Sequence, residues 1–244
     1  MPESELLLTA FFNDHLAGLG NAILALFHIT AKNPARPWET WIVMELLVVA
    51  ILMVLFAVLR PKLSVENPGK LQHMVEVFWA FIKDSAHDVG IHHPDKYASY
   101  FGTIFIFILF MNLMGLIPGF ESPTMTPSVT CGLALCTFVY YNFMGFREHG
   151  IHYLAQLAGP VWWLAPLMIP IEIISHLARP LSLTIRLYGN MFAGDQVTGV
   201  FMRLTYLVMP AVFMGLHVFV AFLQTYVFVL LTMIYVSLAV SHEH

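Results

Sequence analysis

From Leu46 to Leu59 every side chain is apolar, and the wider run from Trp38 carries only Glu39 and Glu45 as charges. About 20 apolar residues at 1.5 Å per helical residue match the roughly 30 Å hydrocarbon core of a bilayer. Inside that core every backbone N–H and C=O must be satisfied within the segment, which leaves a helix as the solution for a single run. Trp38 and Trp41 suit one interface, and Arg60, Pro61 and Lys62 the other. The same feature recurs from Tyr97 to Pro118 and from Thr126 to Phe146. These two spans are joined by Gly-Phe-Glu-Ser-Pro-Thr-Met-Thr-Pro, which contains no Lys or Arg, and so read as a helical hairpin.

Composition agrees: 59% of the 244 residues are hydrophobic and 11% charged, against about 25% charged in an ordinary soluble domain. A soluble globule is excluded. The formal charge of −4, with no basic run, gives no reason to expect nucleic acid as a partner. Cys131 and Cys136 lie in an apolar run without a CxxC spacing and read as ordinary buried thiols. The 12 histidines form neither HExxH nor a set of His boxes, so no metal site, cofactor or redox centre is expected. No GxxxxGK[ST] run occurs, so no nucleotide site and no catalytic residue is assigned.

The opening residues lack the positive start and small-residue cleavage site of a secretory signal. Leu16 to Ile29, about 14 residues with Asn21 and His28, is short for a span and reads as interfacial. Leu71 to Val89 mixes Val75, Phe78, Trp79 and Ile82 with His73, Glu76, Lys83, Asp84 and Asp88 at helical spacing, as a surface amphipathic helix would. Arg60, Lys62, Lys70, Lys83, Lys96 and Arg147 fall in loops on one side. The positive-inside bias makes that side cytoplasmic and puts the N-terminus outside.

Residues 161 to about 194 and about 198 to 240 each exceed one perpendicular crossing, at about 50 and 60 Å if helical. Pro166, Pro170, Pro180 and Pro210 suggest bends, and the excess length suggests a strong tilt. The expected fold is therefore an all-α integral membrane protein with about five membrane-embedded helices plus a cytoplasmic-surface amphipathic helix. Its last two helices are long, steeply tilted and paired as a hairpin over 161–240. Residues 1–37 form an outer-side or interfacial segment, and 38–244 the polytopic membrane domain.

Glu172, Ser175, His176, Arg179, Ser182, Arg186 and Asn190 are separated by steps of three or four, with a single step of one, and share a helical face. Arg186 has no acid one turn away, and Glu172 is about 21 Å distant along the helix. An arginine near the bilayer centre costs roughly 2.5–3.5 kcal/mol on insertion scales, so it is kept for a partner or a task. That partner is expected on another chain; the alternatives are snorkelling or pairing with Asp195 across a bend. Arg179 itself reads as snorkelling. His217 and Gln224, seven residues apart, share a face, and with an acid such as Asp195 they make a plausible proton path. Asn112 equally suits a backbone contact across a helix interface. A self-contained transporter is the competing class, but the internal repeat common to transporters is missing.

The run Arg179-Pro-Leu-Ser-Leu-Thr-Ile-Arg186-Leu-Tyr-Gly-Asn190-Met-Phe-Ala-Gly-Asp195 resembles the signature of subunit a of the F-type ATP synthases. So do Met111-Asn112-Leu-Met-Gly-Leu-Ile-Pro118-Gly and His217 with Gln224. The resemblance covers the chain from about Trp38 onward. It implies a proton-translocating stator in a bacterial inner membrane, with Arg186 facing the carboxylates of a rotating c-subunit ring and peripheral-stalk b subunits holding the chain still. Asn112, Asp195, His217 and Gln224 match positions of the outer entry half-channel. Glu172, Ser182 and Asn190 match positions of the path to the cytoplasm. Two departures stand out: the acid is Asp195 where glutamate is common, and Gly115 replaces an acid found in some relatives.

Overall fold

The computed structural model describes residues 7–26, 33–64, 69–117, 120–150, 153, 165–204 and 208–240. Phe27 to Ile29, Pro118, residues 161–164, His152, His242 and His244, all used in the sequence reading, lie outside them. Every regular element among the described residues is helical: α1 (Leu7–Leu26), α2 (Thr40–Leu59), α3 (Lys70–Asp88), α4 (Pro94–Met114), α5 (Pro127–His149), α6 (Ala165–Leu204) and α7 (Val208–Val240). Within the described residues, α2, α4, α5 and the Ala211–Val240 part of α7 are long and apolar enough to cross a membrane. With α6 they make the five expected membrane-embedded helices.

The boundaries follow local chemistry. Pro94 and Pro127 open α4 and α5 at positions whose N–H has no helical partner to lose. Gly90 follows α3 and Gly150 follows α5 at φ +87° and +58°, a left-handed backbone that other side chains resist. The first helix starts earlier than the apolar run suggested. Leu7–Leu26 includes polar Asn13, whose amide donates to the Trp38 carbonyl and whose Oδ1 accepts from the Trp38 N–H, fastening α1 to the start of α2.

Two sequence boundaries need correction. The break expected near residues 194–198 is absent: α6 runs unbroken through Gly194 and Gly199 to Leu204. Thr198 Oγ1 donates to the Gly194 carbonyl, and Met191 and Thr198 are buried on the inner face. That packing outweighs the roughly 1 kcal/mol an interior glycine costs. The last helix accordingly starts at Val208 and not near residue 198, and Pro170 and Pro180 lie inside the continuous α6, where neighbouring side chains and helices re-satisfy freed backbone groups. At 1.5 Å per residue the 40 residues of α6 reach about 60 Å and the 33 of α7 about 50 Å.

The buried centre is built from Phe101, Ile108 and Met111 of α4, Tyr141 of α5, Leu187 and Met191 of α6, and Phe228 and Met233 of α7. Only one stripe of α2, Val43, Met44 and Val48, joins it, while Met53, Val54 and Phe56 stay exposed as lipid-facing residues do. The amphipathic helix α3 is not merely laid on the surface. It buries Ile82, Ser85 and Ala86 and stacks Phe78 against Phe105 of α4, with Phe81 beside Tyr226 of α7. Cys131 and Cys136 are exposed on α5, not buried.

One end of the bundle is tied together by Lys83–Asp95 and Lys96–Glu148 ion pairs and by Ser237 Oγ, which donates to the Val89 carbonyl. The ends of α3, α5 and α7 and the start of α4 therefore meet there, on the side that carries the basic loops.

Candidate functional site

Arg186 lies on the exposed face of α6, within about a turn and a half of the buried Leu183 and Met191. Its Nη2 is 3.4 Å from Ser182 Oγ, one turn earlier, and no carboxylate among the described residues stands within ion-pair distance. Asp195 is on the same unbroken helix nine residues on, half a turn out of phase, so the bend needed for an Arg186–Asp195 pair does not exist.

Towards one end of the bundle, Asp195 follows Gly194, the residue against which His217 of α7 packs. The imidazole rests against Gly194, where an added Cβ would sit 3.5 Å from the ring, and only 5% of His217 is exposed. A cleft of about 270 Å³ opens between α6 and α7 here, lined by Asn190, Gly194, Thr198 and His217. One turn further along α6, Asn190 Nδ2 donates to Gln224 Oε1 at 2.5 Å. His217 Nε2 and Gln224 Nε2 are buried with no hydrogen-bond partner among the described residues. Buried polar atoms are paired in the great majority of cases, so these two orphans, seven residues apart on α7, stand out as candidate functional groups.

Asn112 is fully buried behind this pair, and all its hydrogen bonds stay inside the protein. Its Nδ2 donates to Thr225 Oγ1 (3.1 Å) and to the Ala221 carbonyl (3.3 Å), and its Oδ1 accepts from Thr124 Oγ1 (2.7 Å). Ser122 Oγ lies 2.7 Å from Thr124 Oγ1 and donates to the Met111 carbonyl. The loop between α4 and α5 thus folds back into the bundle and fixes α7 through Asn112, with Gln224 adjacent to the clasped Thr225. Gly115 permits this return. A Cβ there would meet Ser122 Cβ at 2.8 Å and its backbone N at 3.2 Å, so an acid at 115 would require a different loop path.

The other end of α6 carries a second cluster. Glu172 Oε1 is 3.4 Å from His176 Nε2 and 3.8 Å from Arg179 Nη2. His176 Nδ1 is 3.1 Å from the Tyr141 hydroxyl of α5. The Arg179 guanidinium lies over Tyr235 of α7 at 5.2 Å and over Tyr141 at 5.9 Å. Arg179 does not snorkel as expected: with 18% of its side chain exposed, it is held between two rings, where a delocalised cation is stabilised by the aromatic faces.

The predicted residues therefore fall into three groups along α6: Asp195, His217, Asn190, Gln224 and Asn112 at one end, Arg186 with Ser182 in the middle, and Glu172 at the other. At 1.5 Å per residue Arg186 is about 14 Å from Asp195 and about 21 Å from Glu172. Sequence reasoning missed Tyr141, Tyr235, Thr225, Thr124 and Ser122. Tyr141 left one usable sign, a hydroxyl inside an apolar span that needs a partner in lipid. Among the described residues no group of His, Cys, Asp and Glu is arranged to hold a metal.

A polytopic helical bundle with an exposed arginine between two polar clusters fits the class of membrane subunits that handle ions. Comparison narrows the class. A family model, the ATP synthase A chain, matches residues 42–237. ATP synthase subunit a of Solibacter usitatus is 59% identical over 96% of this chain and all of that protein; its counterpart from Koribacter versatilis is 47% identical over 98% of each. Subunit a of Geobacter sulfurreducens is 36% identical over 91% of this chain and 94% of its own length. The chain belongs to the ATP synthase A chain family, the proton-translocating, non-catalytic membrane subunit of the Fo sector. It is a multi-pass protein of the bacterial inner membrane and part of an F1Fo complex.

Proposed function

We propose that this chain supplies two offset half-channels to a ring of c subunits, with Arg186 as the barrier between them, so that proton flow must turn the ring. The observation that carries the proposal is the isolation of Arg186: it is exposed, without a carboxylate partner among the described residues, and between a polar cluster that begins one turn away at Asn190 and another that ends at Glu172. A carboxylate from a neighbouring subunit is the complement such a cation needs. Beside it, that carboxylate's pKa falls by about 1 to 3 units, favouring proton release as each ring site arrives. Arginine suits the barrier because its own proton does not leave.

Asp195, His217 and Gln224, with Asn112 holding α7 in place, form the entry path from the outside. Ser182 and Glu172 lead towards the cytoplasm; Asn190, which the resemblance assigns to that path, bonds to Gln224 of the entry group. The gap between the clusters has a function, because a continuous wire would dissipate about 2.3 kcal/mol per proton for each 100 mV. The N-terminus lies outside and the C-terminus in the cytoplasm, as the side bearing the basic loops implies. The α6–α7 hairpin lies steeply tilted against the ring, which absorbs its excess length. Peripheral-stalk b subunits keep it from rotating.

The test is proximity. Ala193→Cys, exposed on the Arg186 side of α6, should form a disulfide with cysteines placed beside the carboxylate on the outer helix of the c subunit. Val54→Cys, exposed on α2, should not. Cross-linking from Val54→Cys alone would overturn the assigned face.

A further inference from the structure

We infer that His176 and Glu172 act as one exchangeable proton site at the cytoplasmic mouth, oriented by Tyr141 and backed by the fixed charge of Arg179; the inference rests on the proposed two-channel reading. The geometry sets the tautomer. Glu172 lies 3.4 Å from Nε2 and the Tyr141 hydroxyl 3.1 Å from Nδ1. An ionised carboxylate only accepts, so Nε2 carries the proton facing it, and the Tyr141 hydroxyl donates to Nδ1. The imidazole is thus held with one nitrogen 3.4 Å from an acid that is itself partly open: 37% of the Glu172 side chain is exposed, against 14% of His176. The buried member stores the proton, and the exposed member meets water.

The step balances without any other reactant. Uptake forms an N–H bond at Nδ1, giving an imidazolium beside a carboxylate. In release, the Nε2–H bond breaks as an O–H bond forms on Glu172 Oε1. The carboxylic acid then gives its proton to cytoplasmic water, leaving a neutral imidazole with its proton on Nδ1; the reverse sequence, from water through Glu172 to Nε2 with loss of the Nδ1 proton, restores the starting form.

Arg179 places a fixed positive charge 3.8 Å from Glu172. Its own position is fixed by Tyr141 of α5 and Tyr235 of α7. Tyr153, bonded to Asn142 of α5, is the further titratable group within electrostatic reach of Arg179 and Glu172. Of the side-chain types in this group, histidine is the one whose ordinary range lies near neutral pH. A purely structural clasp would hold α5, α6 and α7 together equally well with an amide in place of the imidazole, whereas a proton site would not survive that exchange.

Inverted vesicles expose the cytoplasmic face to the bath, which makes the distinction measurable. After removal of the soluble ATPase sector, proton uptake driven by an imposed potassium potential is followed between about pH 5.5 and 8.5, taking the fraction blocked by a carboxyl-modifying carbodiimide. The native complex should show an inflection in the histidine range. An assembled His176→Gln complex should lose that inflection, with its rate changing less than about twofold across the range where the native rate changes about tenfold. Tyr141→Phe, which deletes the partner hydroxyl but preserves packing, should displace the inflection while Tyr235→Phe leaves it in place. An unchanged profile in His176→Gln, or in Tyr141→Phe should His176→Gln not assemble, overturns the inference. ATP-driven pumping by Arg186→Ala, measured in inverted vesicles that retain the ATPase sector, separates the two failures: pumping there would defeat the channel reading itself.

Discussion

Breaking the Asn190–Gln224 bond tests whether the α6–α7 hairpin is held at the level of the ring by one polar contact. Gln224 is 4% exposed; its Oε1 accepts from Asn190 at 2.5 Å while its Nε2 has no described partner. Asn190→Leu leaves the whole Gln224 amide buried and unpaired, and Gln224→Leu removes the acceptor from Asn190. Leaving a buried polar group unsatisfied costs about 1–3 kcal/mol. Interhelical hydrogen bonds measured in lipid average about 0.6 and reach about 1.7 kcal/mol, which narrows the expected coupling to that interval. The double variant should therefore be about 3- to 20-fold less impaired in proton-driven ATP synthesis than the product of the two single losses. The assay is the synthesis rate of reconstituted complexes at fixed proton-motive force, with assembly quantified. Losses that simply multiply would refute the reasoning, because the two side chains would then act independently despite their contact.

Other residues give sharper structural expectations. Gly115→Ala forces a Cβ to 2.8 Å from Ser122, so the loop should withdraw from Asn112; thermal unfolding of the detergent-solubilised complex should show a loss of about 1–3 kcal/mol. Asn112→Leu removes three hydrogen bonds while keeping the volume, and should cost about as much and slow synthesis by displacing Gln224; unaltered stability would show that the clasp is dispensable. Gly145→Ala would drive a Cβ to 2.5 Å from the Tyr153 ring, so accelerated proteolysis after residue 150 is expected, and native-like resistance would contradict the packing.

The spans α2, α4 and α5 were legible because the bilayer translates directly into a length of apolar sequence. The surface helix α3 was legible from its mixed face, although its contact with α4 was not, since Phe78 and Phe105 carry no mark of pairing. The α6–α7 boundary was misread for a physical reason. Gly194, Asp195 and Gly199 look like a break in water, but in a bundle Met191 and Thr198 keep the helix packed and continuous. Of the site, Arg186 announced itself by the cost of its charge. The Tyr141–His176–Glu172 arrangement did not, because its members are 35 residues apart in the chain and only the crossing of α5 and α6 brings them together.

The central claim is that Arg186 is the coupling element. Its most direct test is ATP-driven acidification of inverted vesicles carrying the native chain or Arg186→Ala, with assembly of the complex verified in both. The account predicts that the assembled variant does not acidify the lumen; acidification at the native rate would mean that Arg186 is structural and would contradict the account.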